Sequence, residues 1–126
     1  MIELFEAGTW QMTAGERATL EGILHQLKPR LAIEIGTAEG GSLSCIAAHA
    51  QEVHSLDLVA PSIDLGRFPN VTVHTGDSHE RLPALLRKLE HQNRSVDFAL
   101  VDGDHTAEGV QRDVEHLLDS SAYPGP

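Results

Sequence analysis

Residues 31–35, 53–58, 71–75 and 95–101 are short runs that read as strands, the first and last of them largely apolar, and three of the four lead through a turn into a segment with helical spacing. Runs of this length, rich in Val, Ile and Leu, read as buried strands. Strand, crossover helix and strand, repeated in one sheet, give parallel pairing with right-handed crossovers. The run at 95–101 is apolar almost throughout, as suits a strand covered on both faces. The expected fold class is therefore α/β, a Rossmann-like parallel sheet of about four strands flanked by helices.

The helices are read from their stripes. Thr13-Ala14-Gly15-Glu16 has the form of a capping box, with Leu20, Ile23, Leu24 and Leu27 at helical spacing behind it and Pro29 as its stop. Residues 40–50 set Leu43, Ile46, Ala47 and Ala50 on one side. Residues 78–92 do the same with Leu82, Leu85, Leu86 and Leu89, and residues 106–118 with Val110, Val114, Leu117 and Leu118. Pro83 is placed near the first turn of its helix, where proline is tolerated. Residues 60–70 carry two prolines and a glycine and read as loop with room for one helical turn. The whole chain, 1–126, is expected to form a single domain: an N-terminal helix at 13–30, a cofactor-binding βαβ core at 31–119 and a loop tail at 120–126.

Charge removes one class of partner. A net charge of −10 and a pI near 5.1 leave no basic stripe to neutralise phosphates, so nucleic acid is not an expected partner. Cys45 is the single cysteine, which makes an intramolecular disulfide impossible and a reducing compartment the default. The start MIELFEAGTW has neither the basic nor the apolar region of a signal peptide. No apolar run approaches the roughly 18 residues of a membrane span. The expected location is cytoplasmic, with no membrane partner.

The stretch AIEIGTAEGGS, residues 32–42, turns from strand to helix over several glycines. A P-loop is excluded, because Gly36 and Gly41 have its spacing but Ser42 follows directly, with no lysine to reach a phosphate. The dinucleotide fingerprint is disfavoured, because Ala38 stands where its second glycine lets the backbone approach a pyrophosphate. An acid on the strand followed by Gly-x-x-x-Gly, here Glu34-Ile35-Gly36-Thr37-Ala38-Glu39-Gly40, resembles the first motif of the class I S-adenosylmethionine-dependent methyltransferases. Acids also stand at the ends of the next three strands: Asp57, Asp77 and Asp102. Each alone could be a solvated carboxylate or a helix cap, and Asp77 and Ser78 have the cap position. Together with Glu34 they form a constellation that capping alone does not explain.

The resemblance covers residues 13–119 and implies S-adenosylmethionine as cofactor. It implies contacts from Glu34, Gly36, Thr37, Gly40 and Ser42 at the turn, from Asp57 to the ribose, from Asp77 and Ser78 beside the adenine, and from Asp102. The run Asp97-Phe98-Ala99-Leu100-Val101-Asp102-Gly103-Asp104-His105, with Glu108-Gly109-Val110 and Asp113 beyond it, looks like the small-molecule O-methyltransferase branch that includes macrolide and cephalosporin tailoring enzymes. In that branch the acid matching Asp102 can hold a metal, so Mg²⁺ or another divalent cation is admitted as a second cofactor. His105 is the candidate base, with Asp104 beside it. His74 and His79 are given no role. The expected partner is a small-molecule acceptor.

One departure stands out. The family sheet has seven strands, and this chain supplies four before Tyr123-Pro124-Gly125-Pro126. The expectation is a C-terminally truncated domain, whole in its cofactor half and lacking the last three strands and the acceptor half, with turnover left open. In the family order the strands lie third, second, first, fourth, which leaves the apolar fourth strand at an open edge. Such edges invite pairing, so a second copy of the chain or a rearranged terminus is expected to cover it. Two rivals remain: a module that binds the cofactor without chemistry, and a metal-dependent phosphoesterase built on Gly76-Asp77-Ser78-His79 and Gly103-Asp104-His105.

Overall fold

A computed structural model describes residues 2–4, 14–36, 41–59, 65–101 and 107–123. Among the described residues, five strands form one parallel sheet: β1 (Ile2–Leu4), β2 (Leu31–Ile35), β3 (Glu52–Asp57), β4 (Val71–Thr75) and β5 (Phe98–Val101). Their order is β1-β5-β2-β3-β4. The four expected strands therefore lie in the expected order, with one more beside them.

Four helices among the described residues cover the sheet: α1 (Ala14–Leu27), α2 (Gly41–His49), α3 (Ser78–His91) and α4 (Ala107–Asp119). Alternate residues of a strand face opposite ways, and the two faces of β2 and β5 divide accordingly. Ala32, Phe98 and Leu100 pack with Leu20 and Leu24 of α1 and Leu43 and Ile46 of α2. Ile33, Ile35, Ala99 and Val101 pack with Leu82, Leu85, Leu86 and Leu89 of α3 and Leu117 of α4. β2 and β5 are buried along their whole length. Each fully buried leucine contributes about 1.5–3 kcal/mol by leaving water.

Local signals end the elements where the sequence suggests. Lys28 has φ 46° just before Pro29, and Asn93 has φ 55° after α3, both left-handed helix exits. Asp77 caps α3, accepting the His79 N–H at 2.9 Å. Thr13, the expected cap of α1, lies outside the described residues. Pro83 falls in the second turn of α3, not the first, and has no N–H to give the carbonyl of His79, yet the helix runs through it. Among the described residues of the 60–70 loop, a 3₁₀ turn spans Leu65–Arg67.

Two expectations change. The edge of β5 is occupied by β1, with Ile2 opposite Ala99, Glu3 opposite Leu100 and Leu4 opposite Val101. A terminus covers the edge, and the ground for placing a second copy there is removed. The tail also does more than trail: Ala122 and Tyr123 are buried in the core beside α3 and α4. The Ala122 carbonyl accepts the Val96 N–H at 2.6 Å, and Glu90 Oε2 accepts the Ser120 hydroxyl at 2.7 Å and the Ser121 N–H at 3.0 Å.

Candidate functional site

All five strands are parallel, so their carboxyl ends share one rim, where ligands bind in open α/β sheets. Two backbone bonds extend the ladder at that rim. The Gly36 N–H donates to Leu56 at 2.8 Å, and the Gly76 N–H donates to Asp57 at 2.8 Å. Each glycine then turns with positive φ, 86° at Gly36 and 137° at Gly76. A side chain would strain both.

Between these turns lies a cavity of about 260 Å³. Leu58 gives it apolar surface, with the buried Ile35 and Leu56 behind it, and Asp57, Asp77, Ser78 and His79 give it polar groups. Leu58, 71% exposed, is an apolar lip at the mouth. Asp57 Oδ1 accepts the Leu58 N–H at 2.7 Å, which fixes the carboxylate at the rim. Two oxygens offer about four lone-pair sites, so such a group accepts further donors.

Of the residues singled out in the sequence, Gly36, Asp57, Asp77 and Ser78 share this cavity. Glu34 does not line it. Its side chain is fully buried on the α1–α2 face of the sheet and accepts the hydroxyl proton of Ser42, in the first turn of α2. The two tie the central strand to the helix that follows the glycine turn. Nearby, burial above all, and then the charge of Glu21, push the Cys45 thiol up to about 11, which rules it out as a nucleophile near neutral pH. Thr37, Gly40, Asp102, Asp104 and His105 lie outside the described residues.

His79 is expected to act only in the metal-dependent rival, and Asp113 enters only as part of the run that resembles the O-methyltransferase branch. Asp113, on α4, is fully buried, and both its oxygens accept from the Ser78 hydroxyl, at 3.1 and 3.2 Å. His79 Nδ1 lies 3.3 Å from Asp113 Oδ1. This cluster joins the start of α3, at the cavity, to α4. Only the run from Asp97 to Asp113 hinted at it, and nothing in that run marked Asp113 as a partner of residue 79.

A metal-ion reading of the Gly-Asp-Ser-His turn finds no support here. Asp77 is engaged as a helix cap, His79 faces Asp113, and among the described residues no group of three or more His, Cys, Asp or Glu could hold a metal ion. A second depression, of about 540 Å³, opens at the amino ends of the strands. Two of its acids are already used there: Asp97 accepts the Arg30 and Leu31 N–H groups, and Glu52 holds Arg94 and His54.

A family model described as a methyltransferase domain matches residues 33–125. Among solved structures, the precorrin-8w decarboxylase of Methanobacterium thermoautotrophicum is 23% identical with a TM-score of 0.64, the match covering 87% of this chain and 58% of that one. The MycE methyltransferase of the mycinamycin biosynthetic pathway, solved with Mg and SAH, is 16% identical with a TM-score of 0.60, over 88% of this chain and 30% of that one. CmcI, solved without ligand, is 23% identical with a TM-score of 0.58, over 86% and 49%. At these identities the likeness is one of fold. The chain spans between 30% and 58% of the length of these structures. No curated protein matches the sequence. Among the described residues no helix is long and apolar enough to cross a membrane.

Proposed function

This chain belongs to the methyltransferase domain family, and on that premise we propose that the cavity at the ends of β2, β3 and β4 binds S-adenosylmethionine for methylation of an oxygen on a small-molecule acceptor. The observation that carries this reading is the convergence of Gly36, Asp57, Asp77 and Ser78, distant in sequence, on one cavity with an apolar lip. The fit is chemical. Asp57 accepts ribose hydroxyls, the exposed Leu58 flanks a flat ring, and Gly36 lets the backbone turn closely past the methionine portion. The buried Glu34 carboxylate, tied to Ser42, sets the start of α2 and puts negative charge behind the turn, favouring an ammonium and a sulfonium. Thr37 and Gly40, outside the described residues, are assigned to the cofactor by the motif alone.

When bound, the cofactor supplies a methyl group made electrophilic by its sulfonium. The chain's part is to hold the acceptor oxygen in line and to take its proton. Positioning of this kind is worth roughly 7–11 kcal/mol. His105, with Asp104 beside it, is assigned the proton, and Asp102 is assigned to the end of the cofactor that faces the acceptor. MycE was solved with Mg, and Asp102 is the residue that would hold such an ion. The buried, lone Cys45 suits a reducing, cytoplasmic setting.

Calorimetry and thermal melts with S-adenosylhomocysteine test the site. Saturation at about 100 times Kd stabilises the chain by about 2.7 kcal/mol. A silent titration with an unmoved melting temperature sinks the reading. Binding with no methyl transfer to any of a panel of phenols and sugar alcohols supports the binding-only module instead.

A further inference from the structure

We propose that His54 and His74 form a proton-operated latch, which holds the outer strand β4 and the Gly76 turn against β3 and opens in acid, slackening the cavity wall. Its effect on a bound nucleoside rests on the cofactor reading above; its effect on the strand does not. Among the described residues β4 is the outermost strand on its side and pairs with β3 alone. Short edge strands are among the first elements to open. Leu56 stands opposite His74, and His54 lies two residues earlier on the same side of β3, so both imidazoles lie on the α3 face of the sheet, where Leu56 packs. His54 Nδ1 and His74 Nε2 are 2.9 Å apart. The ring centroids are 5.2 Å apart, close to that separation plus one ring radius on each side, so the nitrogens point straight at one another. A metal ion between them needs about 2.0–2.1 Å on each side. The gap therefore admits a proton and no metal.

The neighbours fix where the protons sit. Arg94 donates to Glu52 at 2.5 Å and keeps it ionised, and Glu52 Oε2 lies 2.6 Å from His54 Nε2. A carboxylate only accepts, so His54 Nε2 carries a proton and His54 Nδ1 accepts from His74 Nε2–H. One further proton, on the far nitrogen of His74, leaves that bond in place. A second puts N–H groups and positive charge on both sides of the same gap, and the rings must part. Charged groups face the rings from each packed element: Lys88 and Arg81 from α3, Glu52 from β3 and Arg94 from the segment after α3. Burial first, then the charges of His54, Lys88 and Arg81, oppose protonation of the half-buried His74. The latch is thus fully closed above 6.5 and opens as pH falls from there through the lower folded value. Two residues beyond His74, the Gly76 N–H donates to the Asp57 carbonyl at 2.8 Å, and Gly76, Asp77 and Ser78 then wall the cavity. A ligand that needs this wall in place must expel the proton, so its affinity falls in acid by at most about tenfold per pH unit for each proton.

Two measurements test this together. Amide hydrogen exchange of the ligand-free chain, followed by NMR and corrected for its intrinsic pH dependence, reads the latch at the Gly76 N–H. Its protection should drop at least about fivefold between pH about 7 and 5, in step with the ring resonances of His74. In His74→Gln, whose side-chain amide replaces Nε2–H as donor but takes up no proton, the protection should stay level. Calorimetry over the same range should show Kd for S-adenosylhomocysteine rising at least about threefold more in the wild type than in His74→Gln. The other titratable groups of the cavity, Asp57, Asp77 and His79, are common to both chains and cancel. Gly76 protection that is level in the wild type, that steps apart from His74, or that falls equally in His74→Gln overturns the proposal, as does a Kd that changes equally in both chains. If the wild type binds no S-adenosylhomocysteine at any pH, the cofactor reading falls, and Gly76 exchange alone decides the latch. If His74→Gln does not fold, the coincidence of the wild-type Gly76 and His74 profiles decides it.

Discussion

At Gly76 the backbone sits at φ 137°, and a Cβ built there would lie 2.7 Å from Nε of Arg81. Arg81 is exposed and can swing away, so the φ angle decides the outcome. Gly76→Ala is therefore expected to cost about 1–3 kcal/mol in urea unfolding, and to weaken S-adenosylhomocysteine binding because the turn walls the cavity. Stability within about 0.5 kcal/mol of the wild type would show that the turn relaxes. Asp57→Ala separates fold from function: it should leave the melting temperature nearly unchanged and raise Kd for S-adenosylhomocysteine roughly ten- to a hundredfold, as for the loss of hydrogen bonds to a charged acceptor. Gly36, Asp57 and Asp77 were legible because strand ends and glycine turns are local signals. The Ser78–Asp113 bond joins residues 35 apart on two helices, and no local pattern encodes such a contact.

Elements with strong periodicity were read within a residue or two. α3 announces itself by a leucine stripe that the core then buries, whereas in α4 only Leu117 is fully buried, Val110 and Val114 pack partly against the core, and Leu118, expected inward, is 52% exposed. What joins β3 to β4 was not visible. On the face beneath α3, Arg94 Nη2 donates to Glu52 Oε1 at 2.5 Å, Glu52 Oε2 meets His54 Nε2 at 2.6 Å, and His54 Nδ1 meets His74 Nε2 at 2.9 Å. Two facing ring nitrogens can share one proton but not carry two. Burial first, then the charges of His54, Lys88 and Arg81, hold the His74 imidazole below its ordinary value of 6.5. The unfolded chain thus takes up this proton more readily, and the sign follows: stability is full above 6.5 and is lost as pH falls from there through the lower folded value. Glu52 acts in a lower window. The Arg94 hydrogen bond holds its carboxyl below 4.5, so its contribution persists until pH drops beneath that value. Melting temperatures should decline in two steps with acid, and His74→Gln should flatten the upper one. A His74→Gln profile parallel to the wild type between pH about 7 and 5 would remove His74 as the cause.

The whole molecule is three layers, α1 and α2 on one face, α3 and α4 on the other, with the β5 side of the sheet closed by the chain's own start. That closure could not be read from MIELF. Three residues are too short to show a period, and their partner lies far along the chain at Ala99–Val101. Only the need was legible, since an apolar fourth strand cannot stay open. β1 meets the need weakly, because it adds a short ladder at an edge, and short edge strands are among the first elements to open. Removing residues 1–4 should therefore leave the layered core intact, whose buried leucines and valines it does not touch, while baring the N–H and C=O groups along Phe98–Val101. A bare edge of that composition pairs with another copy. Light scattering across a concentration series is expected to show the truncated chain gaining mass as concentration rises, with unchanged far-ultraviolet dichroism, while the intact chain holds constant mass. Thermal melts should show S-adenosylhomocysteine still stabilising the truncated form, because the cavity is built from β2, β3 and β4. A truncated chain of constant mass would mean that the edge needs no cover, and that β1 is an ornament of the sheet and not its seal.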